Sequence, residues 1–266
     1  MADDGRYETL ELEQQGPVLR VWLNRPERRN AISPQLLRDI GDLYQSLETD
    51  FETRVVVLGG RGLSFCAGSD RKPAPEAPRE TVPSDRELRF TAGLGRRACR
   101  AIEECEALTI ARVHGHAVGG GCCFALSCDF RIASHETLFR VPEIELGIPL
   151  TWAAVPRLIQ EIGAARTREV ILMCENIDAA KAAAWGMIHR SVAIDELDSE
   201  VQRWVDALLA KPELAVYQTK TQLRGYARLN ALGDASEADV DMISVASRSA
   251  SAAGRFAMPA KHKKDS

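Results

Sequence analysis

The chain is 266 residues long, 45% hydrophobic and 27% charged, with a formal net charge of −4. This is an ordinary globular profile with material for a sizeable core, and one main domain with an appendage fits the length. The negative balance excludes a typical nucleic-acid binder, and no apolar run approaches the roughly 20 residues that cross a bilayer.

In chain order, "YETLELEQQGPVLRVWLN" reads as two short strands meeting at Gly16-Pro17, with apolar residues alternating. Ser33 as N-cap and Pro34 at the first helical position start a helix, whose buried face is Leu36, Ile40, Leu43 and Leu47. "RVVVLGG", from 54 to 60, is a buried strand ending in a glycine turn, and the proline-rich stretch 71–85 is a loop. A single helix is expected from about Glu87 to Glu106, then a buried strand, "LTIARVHG". "CCFALSCD" is helical, and "FRIAS" and "LFRVPE" are short strands. From Pro156 onward the pattern is helical. Mixed helix and strand followed by helix alone indicates an α/β body, residues 1–195, with a C-terminal helical region, 196–266.

The seven cysteines fall in no disulfide or metal-ligand spacing and read as reduced thiols, with no metal expected. The segment "MADDGRYETL" has no apolar signal core, so a cytoplasmic location is expected.

The stretch "GHAVGGGCCFALSCD" places Gly119, Gly120 and Gly121 directly before an apolar helix. It matches neither a dinucleotide-binding fingerprint nor a Walker loop. A bare backbone N–H at a helix N-terminus is a good donor for developing negative charge. A second such turn occurs in "FCAGSD", where Gly68 and Ser69 follow a strand. Two donors converging on one point would make an oxyanion hole.

The sequence resembles the enoyl-CoA hydratase/isomerase, or crotonase, superfamily. The likeness is carried by "LNRPERRNAIS", "SFCAGSDRK", "HGHAVGGGCCFALSCDFRIAS" and "VPEIELGIP", with "NIDAAKAAAWGMIHRSV" after them. It implies a crotonase-like spiral of strand–strand–helix repeats with a C-terminal helical trimerisation region, hence a homotrimer or a dimer of trimers. It also implies an acyl-CoA thioester substrate, so coenzyme A arrives as part of the substrate and no cofactor is bound permanently. The family's two oxyanion donors map onto the N–H groups of Ser69 and Gly120. Ala67, Gly68, Asp70, Arg71 and Lys72 match positions that contact coenzyme A, with Arg28 or Arg29 assisting and Gly119 completing the turn.

The hydratases of this family use two glutamates. The second is present here as Glu143, whereas Cys123 occupies the position of the first. Hydration needs one group to activate water and another to protonate the α-carbon, and a thiol with a pKa near 8.5 is a poor substitute for a carboxylate. Moving a double bond needs one base, which removes a proton from C2 of a 3-enoyl thioester and returns it at C4. The expectation is therefore isomerisation with Glu143 as acid and base. The alternatives are a hydratase with an altered first position, and a non-catalytic acyl-CoA-binding protein. Cys123 reads as a small buried filler, the other reading being a thiolate at a helix N-terminus. Trp152 lines the acyl pocket or packs in the core. Glu145 is expected to be solvated or paired, and His114 and His116 to pack and hydrogen-bond beneath the glycine turn. Lys261 and Lys263 in the basic tail either reach coenzyme A or are a solvated charge run. The apolar residues of "VQRWVDALL" and "AVYQTKTQL" are expected to face other subunits.

Overall fold

Two β-sheets wound side by side organise the chain, and the gap between successive turns of that winding is where the glycine turns lie. The computed structural model describes residues 5–71, 83–230 and 239–247. Strands β1 (Leu10–Gln15) and β2 (Val18–Leu23) form an antiparallel hairpin through Gly16, whose φ of 55° suits the turn. From β2 the sheet runs parallel through β3 (Val55–Gly60), β4 (Leu108–Val113), β6 (Phe130–Ser134) and β9 (Arg190–Val192), giving the order β1-β2-β3-β4-β6-β9. The second sheet has β5 (His116–Val118) parallel to β7 (Leu138–Arg140), and β7 antiparallel to β8 (Ile177–Asp178). Isolated bridges from Ile32 to Ser69 and from Cys66 to Ala117 extend this inner layer. Each turn of the spiral thus gives one strand to the large sheet and one short extended piece to the inner layer.

Helix α1 (Pro34–Ser46) starts as its sequence predicts, with the Ser33 hydroxyl accepting from Leu36 N at 3.1 Å. The helix expected over 87–106 is instead two, α2 (Asp85–Ala92) and α3 (Leu94–Glu104), broken at Gly93. Ser84 and Glu87 form a capping box at the start of α2, and Arg97 donates to the Phe90 carbonyl across the break. Helix α4 (Gly120–Ser127) follows the glycine run, and α5 (Ala154–Met173) is interrupted at Gly163, where φ is 77° and ψ 161°. Then come α6 (Ala179–Trp185), α7 (Leu197–Leu209), α8 (Glu213–Asn230) and α9 (Asp239–Ser247). The last third is therefore not helix alone: β8 and β9 lie within it. They are two and three residues long, too short to show a strand period in sequence.

Strand β3 shows why the sheet is buried on both sides. Val56 and Leu58 face the main core with Leu36, Ile40 and Phe124, whereas Val55 and Val57 join Ile110, Ile132, Leu197, Val201 and Val205 on the other face. Helix α7 covers that second face. The expectation that the apolar side of "VQRWVDALL" would face another subunit is therefore corrected: Val201 and Val205 are fully buried against the chain's own sheet. Burying each such side chain stabilises the fold by about 1.5–3 kcal/mol. Helix α8 is pinned by Lys220, whose Nζ donates to the Ala107 carbonyl and to Asp129 Oδ2, both at 2.7 Å. Among the described residues no helix is long and apolar enough to cross a membrane.

Candidate active site

The turn after β3 is held from three sides. Asn30, fully buried, donates from Nδ2 to the carbonyls of Arg61 and Ser64. Cys66 N donates to the His116 carbonyl and Val118 N to the Cys66 carbonyl, which ties the turn to β5. Ile32 N donates to Gly68 O at 2.8 Å, and Asp70 N to Ile32 O at 2.9 Å. In such a parallel bridge the partner strand bonds the peptides flanking Ser69, so the Ser69 N–H points away from Ile32. Gly68 has φ of 84°, and a methyl group on it would lie 2.8 Å from the Val118 carbonyl. The two glycine turns are therefore in contact.

Gly119 has φ of 52° and ψ of −116°, a conformation open to glycine, and its N–H donates to the Arg140 carbonyl at 2.8 Å. Gly120 is the first residue of α4, so its N–H is one of the donors a helix leaves over. Among the described residues no acceptor engages the N–H of Ser69 or of Gly120. The three glycines make room for four neighbours. A methyl group on Gly119 would lie 2.6 Å from Glu143 Oε1, one on Gly120 2.5 Å from Trp152 Cζ3 and 2.6 Å from Ile32 Cδ1, and one on Gly121 2.5 Å from the Cys66 carbonyl.

Glu143 follows β7 and begins a short 3-10 turn, Ile144–Leu146. Its Oε2 is buried and, among the described residues, has no hydrogen-bond partner. Burial pushes its carboxyl up to about 7, against a weak opposing effect of its own backbone amide. No neighbouring carboxylate contributes to that rise. A carboxylate with an unused oxygen, set against the glycine turn that carries the Gly120 N–H, can take up a proton while an oxyanion is held there.

Cys123 is 2% exposed and lies in the main core, where burial first, then Cys99, Glu143 and Cys122, hold its thiol well above the usual range. It is a neutral packing thiol here. Trp152 and Ala153 have φ of 63° and 57°, and the indole stacks towards Phe124 with centroids 6.1 Å apart. Asp70 faces Arg25 at 2.9 Å and Arg28 at 2.7 Å, so its carboxylate braces the turn. Arg29 is exposed and left-handed at φ of 50°, and its carbonyl accepts from Ala67 N at 3.0 Å. Arg71 is exposed at the edge of the same turn. Lys72, Lys261 and Lys263 lie outside the described residues. Glu145 pairs with Arg140 at 2.8 Å, as expected of it. His114 Nε2 bonds the Gly62 carbonyl and His116 Nδ1 bonds Ser64 Oγ, so both histidines hold the turn from beneath.

Four contributors were not singled out from sequence: Ile32, Gly95, Arg157 and Asp239. A methyl group on Gly95 in α3 would overlap the Trp152 indole. Arg157 pairs with Glu103 and donates to the Trp152 carbonyl at 2.8 Å, and Ala153 N donates to Asp239 Oδ2 at 2.8 Å. Only Gly95 left a sequence signal, because glycine inside a helix is unfavourable by about 1 kcal/mol and invites a reason.

A sequence profile of the family described as Enoyl-CoA hydratase/isomerase matches residues 13–262. The crotonyl-CoA hydratase of Syntrophomonas wolfei is 33% identical over 215 residues, 80% of each chain. The crystal structure of an enoyl-CoA hydratase from Mycobacterium avium subsp. paratuberculosis superposes with a TM-score of 0.83 at 26% identity, covering 94% of both chains. A monofunctional enoyl CoA isomerase from M. smegmatis superposes with a TM-score of 0.67 at 27% identity, covering 82% of this chain and 93% of that one.

Proposed function

The chain belongs to the enoyl-CoA hydratase/isomerase family, and from that premise we propose that it moves the double bond of a 3-enoyl-CoA to the 2-position through an enolate. The thioester oxygen accepts from the N–H groups of Ser69 and Gly120. Glu143 removes a proton from C2, the charge moves onto the held oxygen, and Glu143 returns the proton at C4. A lost oxyanion donor typically costs about 100- to 1,000-fold in rate, which is what the two bare amides are worth keeping for. The coenzyme A arm runs along Ala67, Gly68 and Arg71, with Arg29 at its side, while Asp70 keeps the turn in shape.

The observation that carries this reading is that a buried thiol, Cys123, stands where a second carboxylate would, while among the described residues Glu143 Oε2 is buried with no hydrogen-bond partner. A hydratase that shares one water between two carboxylates would couple them. The second reading, hydration of a 2-enoyl-CoA, is favoured by the name of the Syntrophomonas wolfei relative. Parallel assays of 3-enoyl-CoA isomerisation and 2-enoyl-CoA hydration separate them. Wild type is expected to isomerise and to hydrate poorly, and Cys123→Glu to raise hydration by adding a carboxylate in the field of Glu143. Efficient wild-type hydration that Cys123→Ala destroys would make a thiol-assisted hydratase the better account. Turnover of neither substrate would leave a non-catalytic acyl-CoA binder.

The same proposal includes a homotrimer or dimer of trimers. Its support is α8, where Leu214, Leu223 and Tyr226 are 68%, 66% and 67% exposed. Sedimentation giving a monomer at micromolar concentration would contradict it.

A further inference from the structure

The peptide joining Gly119 to Gly120 carries the donor N–H, and side chains press against both of its α-carbons. Glu143 Oε1 stands at Gly119, and the edge of the Trp152 indole stands at Gly120 together with Ile32 Cδ1. A thioester oxygen on that N–H therefore has the carboxylate on one side and the indole on the other. With the coenzyme A arm leaving along the 66–71 turn, the acyl arm is directed towards α4, where the indole stands.

That indole has nowhere to go. On its far side it presses on the backbone of α3 at Gly95, closely enough that even a methyl group there would overlap the ring. The peptide after it is gripped at both ends, by Arg157 on the Trp152 carbonyl and by Asp239 on the Ala153 N–H, each at 2.8 Å. Arg157 is itself paired with Glu103 of α3. Trp152 and Ala153 are both left-handed, a conformation that non-glycine residues adopt only when neighbours hold them there.

We propose that Trp152, wedged between Gly95 and Gly120, is the wall that restricts this enzyme to short acyl groups. The assignment rests on the acyl-CoA reading of the site but not on which reaction occurs there. A rigid aromatic wall discriminates by excluding methylenes, each of which changes transition-state binding by roughly 10- to 200-fold in a closed pocket. The grip of Asp239, the first residue of α9, means that the last helix among the described residues also holds the wall in place.

The test uses two readouts. The first is turnover across a series of enoyl-CoA esters from four to ten carbons by wild type, Trp152→Ala and Trp152→Phe. The second is calorimetric binding of butyryl-CoA and decanoyl-CoA to the same three proteins carrying Glu143→Gln, which needs no catalysis. Trp152→Ala should shift the ten-carbon to four-carbon ratio by about tenfold or more towards the long chain, and Trp152→Phe by less in the same direction. A folded Trp152→Ala with an unchanged ratio overturns the proposal, as does wild type handling both lengths equally. Should Trp152→Ala fail to fold, Trp152→Phe decides on the same criterion. Loss of all turnover with a shifted binding ratio would reject the isomerase reading and keep the wall. Isomerisation with no length discrimination would do the reverse.

Discussion

The two ends of α4 treat a carboxylate in opposite ways. Just past its C-terminal end, Asp129 Oδ2 accepts from Thr109 N at 2.7 Å, Thr109 Oγ1 at 2.9 Å and Lys220 Nζ at 2.7 Å. Before its N-terminal end, Glu143 rests on Gly119 with one oxygen buried and, among the described residues, unpartnered. The first arrangement ties α8 to the body through a positive charge near a helix C-terminus, where the backbone dipole favours it. The second leaves a base and two amides unspent beside a helix N-terminus, where the dipole favours an anion. At α4 the satisfied carboxylate holds elements together, and the unsatisfied one is available to a substrate.

Four variants or conditions would break or sharpen that contrast. The largest effect is expected from Glu143→Gln, which should lower isomerisation by about 100- to 10,000-fold. Its thermal unfolding should be unchanged or raised, because a neutral amide removes a poorly solvated acid. A large loss of stability would instead make Glu143 a structural residue like Asp129. Lys220→Ala is the converse. It should destabilise by about 2–3 kcal/mol in urea unfolding, less than the 3–5 of a fully buried pair because Asp129 is 25% exposed, while folded protein keeps its turnover.

Next in size is the response to pH. With Glu143 titrating near 7, turnover should rise about tenfold from pH 6 to pH 8, as the base form fills. Stability should run the other way. A carboxyl raised by burial favours the neutral form in the folded state, so its contribution is full below the usual value near 4.5 and is lost as pH rises through about 7. Glu143→Gln should flatten both curves, and a wild-type profile flat between pH 6 and 8 would count against Glu143 as the base. The smallest effect belongs to Cys123→Ala, which should lower stability by about 1 kcal/mol through lost packing and change isomerisation little. A steep loss of turnover there would reassign the thiol to the chemistry.

Much of the molecule was legible from local chemistry. The Gly16-Pro17 hairpin, the Ser33-Pro34 helix start and the buried strand at 55–60 follow from turn residues and alternation, from capping, and from an unbroken apolar run, respectively. These act within a few residues, so the chain states them locally. The glycine run and the turn at Gly68 likewise announced a close approach, since glycine is a poor choice anywhere that backbone need not be bare. The same locality explains the misses. Gly93 breaks a helix that periodicity draws as continuous, and β5 and β8 are too short to carry a period. The apolar stripe of α7 pointed outward only until Val55, Val57, Ile110 and Ile132 were seen to need a cover. What lies against each glycine was decided by tertiary structure alone. Cys66 comes from the turn after β3, Glu143 and Trp152 from the segment between β7 and α5, and Asp239 from the far end of the chain. No spacing in sequence encodes which of them meets Gly119, Gly120 or Gly121, because those contacts are set by how whole strands and helices stack.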